Sequence, residues 1–182
     1  MTGLNPTNLK IFQDKLAELG RYSFEPLQIF NFDETGVTTV QRVPKIVGRK
    51  GEHQIGQATS RERSELITQV GIISAAGVAL PPVWIFPRQR YDEKRMMKEV
   101  SGTETLGLVH PSGWMKANNF LAVLKHLVKN TNCSVTNKIF LIMDSHDSHL
   151  SLPGIEYCRS SGIVILTSSP HTPNKLQQIN FL

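Results

Sequence analysis

Two aspartates directly follow apolar segments of this 182-residue chain. Asp33 comes after the alternating segment 27–32, and Asp144 comes after the continuous apolar run 138–143. Both segments have the composition of β-strands, so both carboxylates are predicted at strand ends, where open α/β sheets place their ligand sites. If the strands are neighbours, the carboxylates converge and need a cation between them, for which oxygen ligands select Mg²⁺ or Mn²⁺. Such a pair can support metal-dependent chemistry on phosphodiesters.

A purely structural role is the alternative for each aspartate taken alone. Asp33 precedes Glu34-Thr35-Gly36, which has the composition of a turn, and Asp144 can open a turn at Ser145. In a chain whose loops are basic, the structural and the metal-binding roles both stay open at this point.

The surrounding segments predict a mixed α/β sheet that positions these aspartates. A first helix is expected between Asn5 and Gly20, because Pro6 suits a helix start and the apolar residues recur at helical spacing. The later elements are a hairpin over 66–74 and 78–86, a helix over about 116–129, a short helix over 151–161 and a last strand over 163–166. Five strands in this order form a mixed sheet with helices on its faces. The order fits the ribonuclease-H-like fold and also other α/β sheets.

Composition excludes several classes of protein. The apolar fraction is an ordinary 40%, and Pro81, Pro82 and Pro87 interrupt the longest apolar stretch, so no membrane-spanning segment is expected. The first 20 residues lack signal-peptide character. Cys133 and Cys158 are expected to be ordinary reduced cysteines, since two residues without zinc spacing do not form a disulfide scaffold.

Positive charge is concentrated in two stretches. Of the 20 Lys and Arg residues, 11 fall within 42–63 and 88–98, where four acidic residues leave a net charge of +7, whereas the rest of the chain sums to −2. This distribution suits a polyanion such as DNA, and Lys45, Arg49 and Lys50 are expected to contact phosphates. A second candidate surface comprises Arg88, Arg90, Lys94 and Arg95. A solvated loop is the alternative for both stretches.

The segments around the two aspartates resemble a known family. Residues 31–37, Asn-Phe-Asp-Glu-Thr-Gly-Val, resemble the first-aspartate motif of the pogo/Tigger/jerky group of DDE transposases, whose relatives include centromere protein B. Residues 141–151 resemble the second-aspartate motif, although Ser145 stands where the group usually has Asn. Further blocks match in order and spacing at 48–51, 57–60, 82–87 and 111–115.

The resemblance implies a ribonuclease-H-like core that hydrolyses and transfers DNA strands with Mg²⁺ or Mn²⁺. Asp33 and Asp144 are then catalytic metal ligands, and Lys175 joins the DNA-contacting residues. The segment 169–180 aligns with the family phrase Pro-Pro-His-x-x-x-x-Leu-Gln-Pro-Leu-Asp, so Asn180 occupies the third catalytic position. Asn keeps one oxygen but removes a full negative charge, which predicts weakened metal binding and impaired catalysis.

The same resemblance divides the chain into two parts. Residues 1–22 are expected to form an N-terminal helix and linker, and residues 23–182 a C-terminally truncated catalytic core without room for the family's helix-turn-helix modules. The predicted partner is DNA and the predicted location is the nucleus, with no membrane and no small-molecule cofactor. A homodimer stays open, as does a second function: a domesticated module that binds DNA or a protein without catalysis.

Three weaker interpretations concern individual side chains. His146, Asp147 and His149 have a spacing that could suggest zinc, and Ser145 with His146 could suggest a hydrolase, although no Gly-x-Ser-x-Gly is present. Both interpretations are less favoured than the view that these residues are simply neighbours of a catalytic Asp144. Trp84 and Trp114 are expected in the core, with base stacking as the alternative for Trp114.

Overall fold

The computed structural model describes residues 22–38, 66–98 and 104–168, together with isolated positions between residues 6 and 20. The described strands form a six-stranded sheet in the order β4-β3-β2-β1-β5-β6. The elements are β1 (Ile29–Thr38), β2 (Leu66–Ser74), β3 (Val83–Phe86), α1 (Glu93–Met96), β4 (Leu106–Val109), α2 (Ala117–Thr131), β5 (Ile139–Asp144), α3 (Leu152–Ser161) and β6 (Ile163–Ser168). Two short 3-10 turns, Pro26–Gln28 and Asp147–His149, precede β1 and follow β5.

Strand β1 lies at the centre and joins the two halves of the sheet. It pairs antiparallel with β2 along its length, from Phe30 opposite Ser74 to Thr38 opposite Leu66. On its other side it pairs parallel with β5, which in turn pairs parallel with β6. The continuous apolar sequence of β5 is explained by this central position, because a parallel strand covered on both faces has no solvent-facing side.

Helix α2 covers one face of the sheet. Its buried residues Phe120, Val123, Leu124 and Leu127 recur at the spacing of a single helical face. The Phe120 ring meets Phe32 of β1 edge to face, with centroids 5.9 Å apart. The helix ends at Asn132, whose φ of 51° is left-handed. This packing fixes β1 and β5 against a rigid helix beneath the ends that carry the two aspartates.

The predicted mixed sheet with helices is confirmed, but it has six strands rather than five. The additional strand, Leu106–Val109, is a partly exposed edge strand of four residues that contains Gly107, and so short an apolar run with a glycine inside it is a weak strand signal. The prediction that β1 ends at Asp33 is also wrong, because the strand continues to Thr38. Backbone pairing with β2 there outweighs the local turn composition.

The other predicted strands and helices after residue 66 are present with small shifts in their ends, except that the second strand of the hairpin, predicted over 78–86, begins only at Val83. Among the described positions before residue 18, Pro6, Lys10 and the others assigned are helical, in agreement with the predicted first helix. Helix α1 was not predicted. Across the described ranges, no helix has the length and apolar character needed to cross a membrane.

Candidate active site

The register between β1 and β5 brings the two aspartates together. The parallel pairing sets Phe30 beside Leu141 and ends with Asn31 beside Ile142. Asp33 and Asp144 each lie two residues further along their strands, at positions that correspond in this register. Both aspartates line one cavity of about 290 Å³.

Asp33 lies inside a strand instead of at its end. Its cross-strand neighbour on β2 is Gly71, which contributes no side chain on that flank of the carboxylate. The Glu34 N–H donates a hydrogen bond to Asp33 Oδ1 at 2.9 Å. The continuous pairing of β1 with β2 therefore fixes the backbone that carries this carboxylate.

Asp144 is held by the chain that follows it. His149 Nδ1 lies 2.8 Å from Asp144 Oδ1, and the His146 N–H donates to the same oxygen at 3.2 Å. The intervening 3-10 turn is closed by His146, whose Nδ1 accepts from the Ser148 N–H. The hydrogen bond from His149 is the main reason why the pKa of Asp144 is lowered below its usual value.

His149 connects Asp144 with Glu34 of β1. Its Nε2 lies 2.8 Å from Glu34 Oε1, so each ring nitrogen faces a carboxylate. The imidazole is only 2% exposed and packs against the rings of Phe32 and Phe120, with centroids 5.1 and 4.9 Å away. We call Glu34, His149 and Asp144 the histidine bridge.

The histidine bridge holds a positive charge inside the protein. Burial lowers the pKa of His149, but the hydrogen bonds to Asp144 and Glu34 and the charge of Glu34 outweigh it and raise the pKa to about 9. At neutral pH the ring is an imidazolium that donates from both nitrogens. It offsets part of the negative charge that three carboxylates place beside one cavity.

A second part of the cavity lining comes from the end of the segment 110–116, which we call the tryptophan turn. Trp114, Met115 and Lys116 line the cavity together with the two aspartates. Met115 is buried, whereas the Trp114 side chain is 53% exposed. The prediction that Trp114 lies in the core is therefore wrong: its neighbours fill the core and the indole points outward. Trp84 is half-buried in β3.

Residues 64–180 match the family described as DDE superfamily endonuclease. The chain belongs to this family. The matched range includes Asp144 and Asn180 and begins after Asp33. A curated relative, the MFS-type transporter clz9 of Cochliobolus lunatus, is 26% identical over 163 residues, which cover 88% of this chain and 18% of that protein.

Solved structures of Mos1 transposase share the fold of this DDE endonuclease domain. The Mos1 mariner paired end complex with Mn superposes with a TM-score of 0.57 at 13% identity, covering 94% of this chain and 45% of that one. The complex with Mg gives 0.55 at 14% identity, covering 98% and 48%. The chain thus spans about half the length of these Mos1 chains. The likeness confirms the predicted ribonuclease-H-like α/β fold class.

A divalent metal fits the donors that this DDE endonuclease domain presents. Asp33 and Asp144 offer hard oxygen ligands, and Mg²⁺ is commonly held by one or two carboxylates plus waters and substrate phosphates. Asp144 contacts His149 through Oδ1, and its second carboxylate oxygen is not part of that contact. Within the ranges that the structure describes, no group of three or more His, Cys, Asp or Glu residues has metal-site geometry.

The two weaker interpretations are not supported by the geometry. His149 directs both nitrogens at carboxylates, and His146 is bonded to Ser148, so the predicted zinc spacing does not converge. Ser145 Oγ is buried and has no hydrogen-bond partner among the described residues, which is the opposite of an activated nucleophile.

The structure does not describe the first group of predicted DNA-contacting residues or the predicted third catalytic position. Lys45, Arg49 and Lys50, and likewise Lys175 and Asn180, lie outside the described residues. The second basic surface is described. Arg88, Arg90 and Arg95 line a separate cavity of about 400 Å³ beside α1.

Sequence reasoning missed Glu34 as a partner of the site and treated His149 only as a neighbour of Asp144. A strand places Glu34 and Asp33 on opposite faces, and Glu34 meets His149 from 115 residues away. The sequence does carry a signal, because an Asp-Glu pair follows one apolar segment and an Asp with nearby His residues follows another. This signal predicts a cluster of charged side chains but not the hydrogen bonds within it.

Proposed function

We propose that the chain is the core of a metal-dependent DNA endonuclease and strand transferase of the pogo/Tigger/jerky group, related to centromere protein B. Asp33 and Asp144 are its metal ligands and catalytic carboxylates. The observation that carries this proposal is their convergence in one cavity of a DDE-family domain. Residues 23–182 form the core in this proposal, and the nucleus is its place of action.

A bound Mg²⁺ or Mn²⁺ supplies activation of a water or 3′-hydroxyl and stabilisation of the leaving oxygen. The chain's own residues prepare for it. The histidine bridge fixes the orientation of the Asp144 carboxylate, and β1 pairing fixes Asp33, so neither ligand must be ordered when the metal binds. The Mos1 structures include a complex with Mn and another with Mg, which supports a divalent metal here.

DNA is the proposed substrate. Lys116 stands at the rim of the cavity, and the basic residues Lys45, Arg49, Lys50 and Lys175 are proposed to contact phosphates farther along the strand. The excess of positive charge, +5 overall, favours a polyanion. Mos1 structures that share this fold are paired-end and strand transfer complexes, which also supports DNA.

Asn180 weakens the proposed activity. A third carboxylate would help to hold a divalent metal, and the metal would neutralise the negative charge that grows on the phosphate; Asn lacks the full negative charge needed to hold the metal as well. Changing a residue that only supports a metal ligand typically alters affinity about 10- to 100-fold, so restoring a ligand should do at least as much. Asn180→Asp is therefore expected to raise Mn²⁺ affinity at least about tenfold and to increase nicking of supercoiled plasmid.

Two variants make this experiment specific. Asn174→Asp adds the same charge to the same segment and should change neither Mn²⁺ affinity nor nicking. Nicking by Asn180→Asp should vanish in the double variant with Asp33→Asn. Wild-type nicking as fast as that of Asn180→Asp would contradict the proposed impairment.

A domesticated binding module without catalysis is the second candidate, favoured by Asn180 and by Ser145 in place of the usual Asn. The two candidate functions differ in whether DNA binding depends on a divalent metal. If DNA binding is unaffected by Mg²⁺ and Asn180→Asp restores no nicking, the domesticated module accounts for the chain better than an impaired enzyme.

A further inference from the structure

We infer that Trp114 forms a stacking site for an unpaired nucleobase at the mouth of the cavity lined by Asp33 and Asp144. The inference rests on the proposed function, because the nucleobase belongs to the DNA strand on which the two carboxylates act. The indole lines the same cavity as the carboxylates and exposes 53% of its surface. A large aromatic group in that position can meet a ligand without any rearrangement of the core.

The backbone on either side of Trp114 is locked into the core. Gly113 is buried with a φ of 72°, and a Cβ atom there would overlap the carbonyl oxygen of Leu66. Its own carbonyl accepts a buried hydrogen bond of 2.8 Å from Thr68 Oγ1. Met115 is 1% exposed. Both neighbours of Trp114 are therefore anchored in the core, while the indole itself stays exposed.

The start of the tryptophan turn is equally well fixed. The Gly113 N–H donates to the His110 carbonyl at 2.9 Å. Ser112 Oγ lies 2.7 Å from His110 Nδ1 and accepts from the Trp114 N–H at 3.3 Å. A rigid aromatic group loses little conformational entropy when a ligand binds, which is the property of an effective anchor.

The chemistry around the indole favours a nucleotide over an apolar partner. Lys116, two residues further along, lines the same cavity and can neutralise a phosphate, and the cavity is also lined by Asp33 and Asp144. An apolar protein segment would have to bury these charges. A nucleotide instead places its base on the indole and its phosphate near the lysine.

The strand must present an unpaired base. In a duplex both faces of each internal base are covered by its neighbours, so stacking on a protein ring requires a single-stranded or extruded nucleotide. The ligand is therefore a DNA strand with an unpaired nucleotide next to the phosphate that faces the carboxylates.

Direct binding measurements in EDTA test this site. Labelled oligothymidylate and a blunt duplex of the same length are titrated with the full chain, and binding is followed by fluorescence anisotropy. Trp114→Ala should weaken single-strand binding by about 5- to 150-fold, and duplex binding by less than about twofold. Trp114→Phe keeps a ring and should retain most of the affinity. Leu152→Ala removes another exposed apolar side chain, 67% exposed on α3, and should change neither.

An abasic oligonucleotide separates the base from the backbone. Wild type and Trp114→Ala should bind an abasic strand equally, because the stacking partner is gone. An equal loss on abasic and thymidylate strands, an equal loss on duplex, or no loss at all would overturn the inference. Should Trp114→Ala fail to fold, Trp114→Phe and Trp114→Leu decide: Phe should bind as wild type and Leu should not.

Failure of this site and failure of the proposed function give different results. Stacking is measured without metal, whereas the proposed metal site is measured by Mn²⁺ binding. If the chain binds no Mn²⁺ but still binds unpaired bases through Trp114, the proposed metal function is rejected and the stacking site is kept. Mn²⁺ binding without any effect of Trp114 would do the reverse.

Discussion

The two walls of the cavity are made rigid in different ways. The histidine bridge is held by side-chain hydrogen bonds between opposite charges, with His149 almost fully buried. The tryptophan turn is held by the backbone of Gly113 and the buried side chain of Met115, and it leaves Trp114 exposed. Changes to the first wall should therefore alter stability and its pH dependence, whereas changes to exposed groups of the second should alter ligand binding alone.

Removing the bridging imidazole tests the first wall most severely. His149→Ala empties a buried position and leaves the part-exposed carboxylates of Asp144 and Glu34 without their shared cation, which is expected to cost about 2–5 kcal/mol of unfolding free energy. Urea denaturation measures the loss. Lys125→Ala, on the exposed side of α2, should stay within about 0.5 kcal/mol of wild type. A small loss for His149→Ala would show that the bridge does not hold this wall.

Adding one methyl group tests the second wall. Gly113→Ala forces a left-handed backbone on a residue with a Cβ and overlaps the Leu66 carbonyl, with an expected cost of about 2–4 kcal/mol. Gly77 has a similar φ of 80° and open space around it, so Gly77→Ala should cost only about 1–2 kcal/mol. Equal costs at the two glycines would mean that close packing does not hold the tryptophan turn.

The pH dependence of stability separates the two walls. The pKa of His149 is raised from 6.5 to about 9 on folding, so its stabilisation is complete below pH 6.5 and is lost as the pH rises through about 9. Between pH 7 and pH 10, metal-free wild type should lose about 2–3 kcal/mol more than His149→Gln. Parallel curves for the two proteins would contradict the charged bridge, and Trp114→Ala should follow wild type.

Substitutions of two adjacent residues of the tryptophan turn should have very different effects on the free energy of unfolding. Met115→Ala empties a core position and should cost about 2–5 kcal/mol. Trp114→Ala removes a half-exposed ring and should cost about 0.5 kcal/mol or less. Thermal unfolding of both variants provides the comparison, and a large loss for Trp114→Ala would mean that the indole has a structural role.

Residue types revealed the two aspartates of the cavity better than the side chains that surround them. Asp33 and Asp144 could be predicted because each follows an apolar strand segment, which is a local signal. The histidine bridge could not, because its Glu34–His149 contact depends on the register of strands far apart in sequence. Trp114 was assigned to the core on the general preference of Trp for burial, which a turn fixed by a left-handed glycine overrides.

The strands of the sheet show the same limit of local sequence patterns, which do not reveal pairing between distant segments. Strands with a long continuous or alternating apolar pattern were predicted, whereas β4 is an edge strand of four residues with a glycine, too short for its apolar pattern to identify it. The end of β1 was placed at Asp33 because Glu34-Thr35-Gly36 suits a turn, but long-range pairing with β2 determines its length. The roles of Asn180, Lys45, Arg49, Lys50 and Lys175, and the nuclear location, stay predictions.

Mn²⁺ binding, followed by electron paramagnetic resonance, tests the central claim most directly. Wild type should bind Mn²⁺, and Asp33→Asn and Asp144→Asn should each weaken it at least about tenfold, because each removes a metal ligand. Asp92→Asn changes a carboxylate that caps α1 and should leave Mn²⁺ affinity unchanged. Affinities for Asp33→Asn and Asp144→Asn equal to that of wild type would contradict a metal site between β1 and β5.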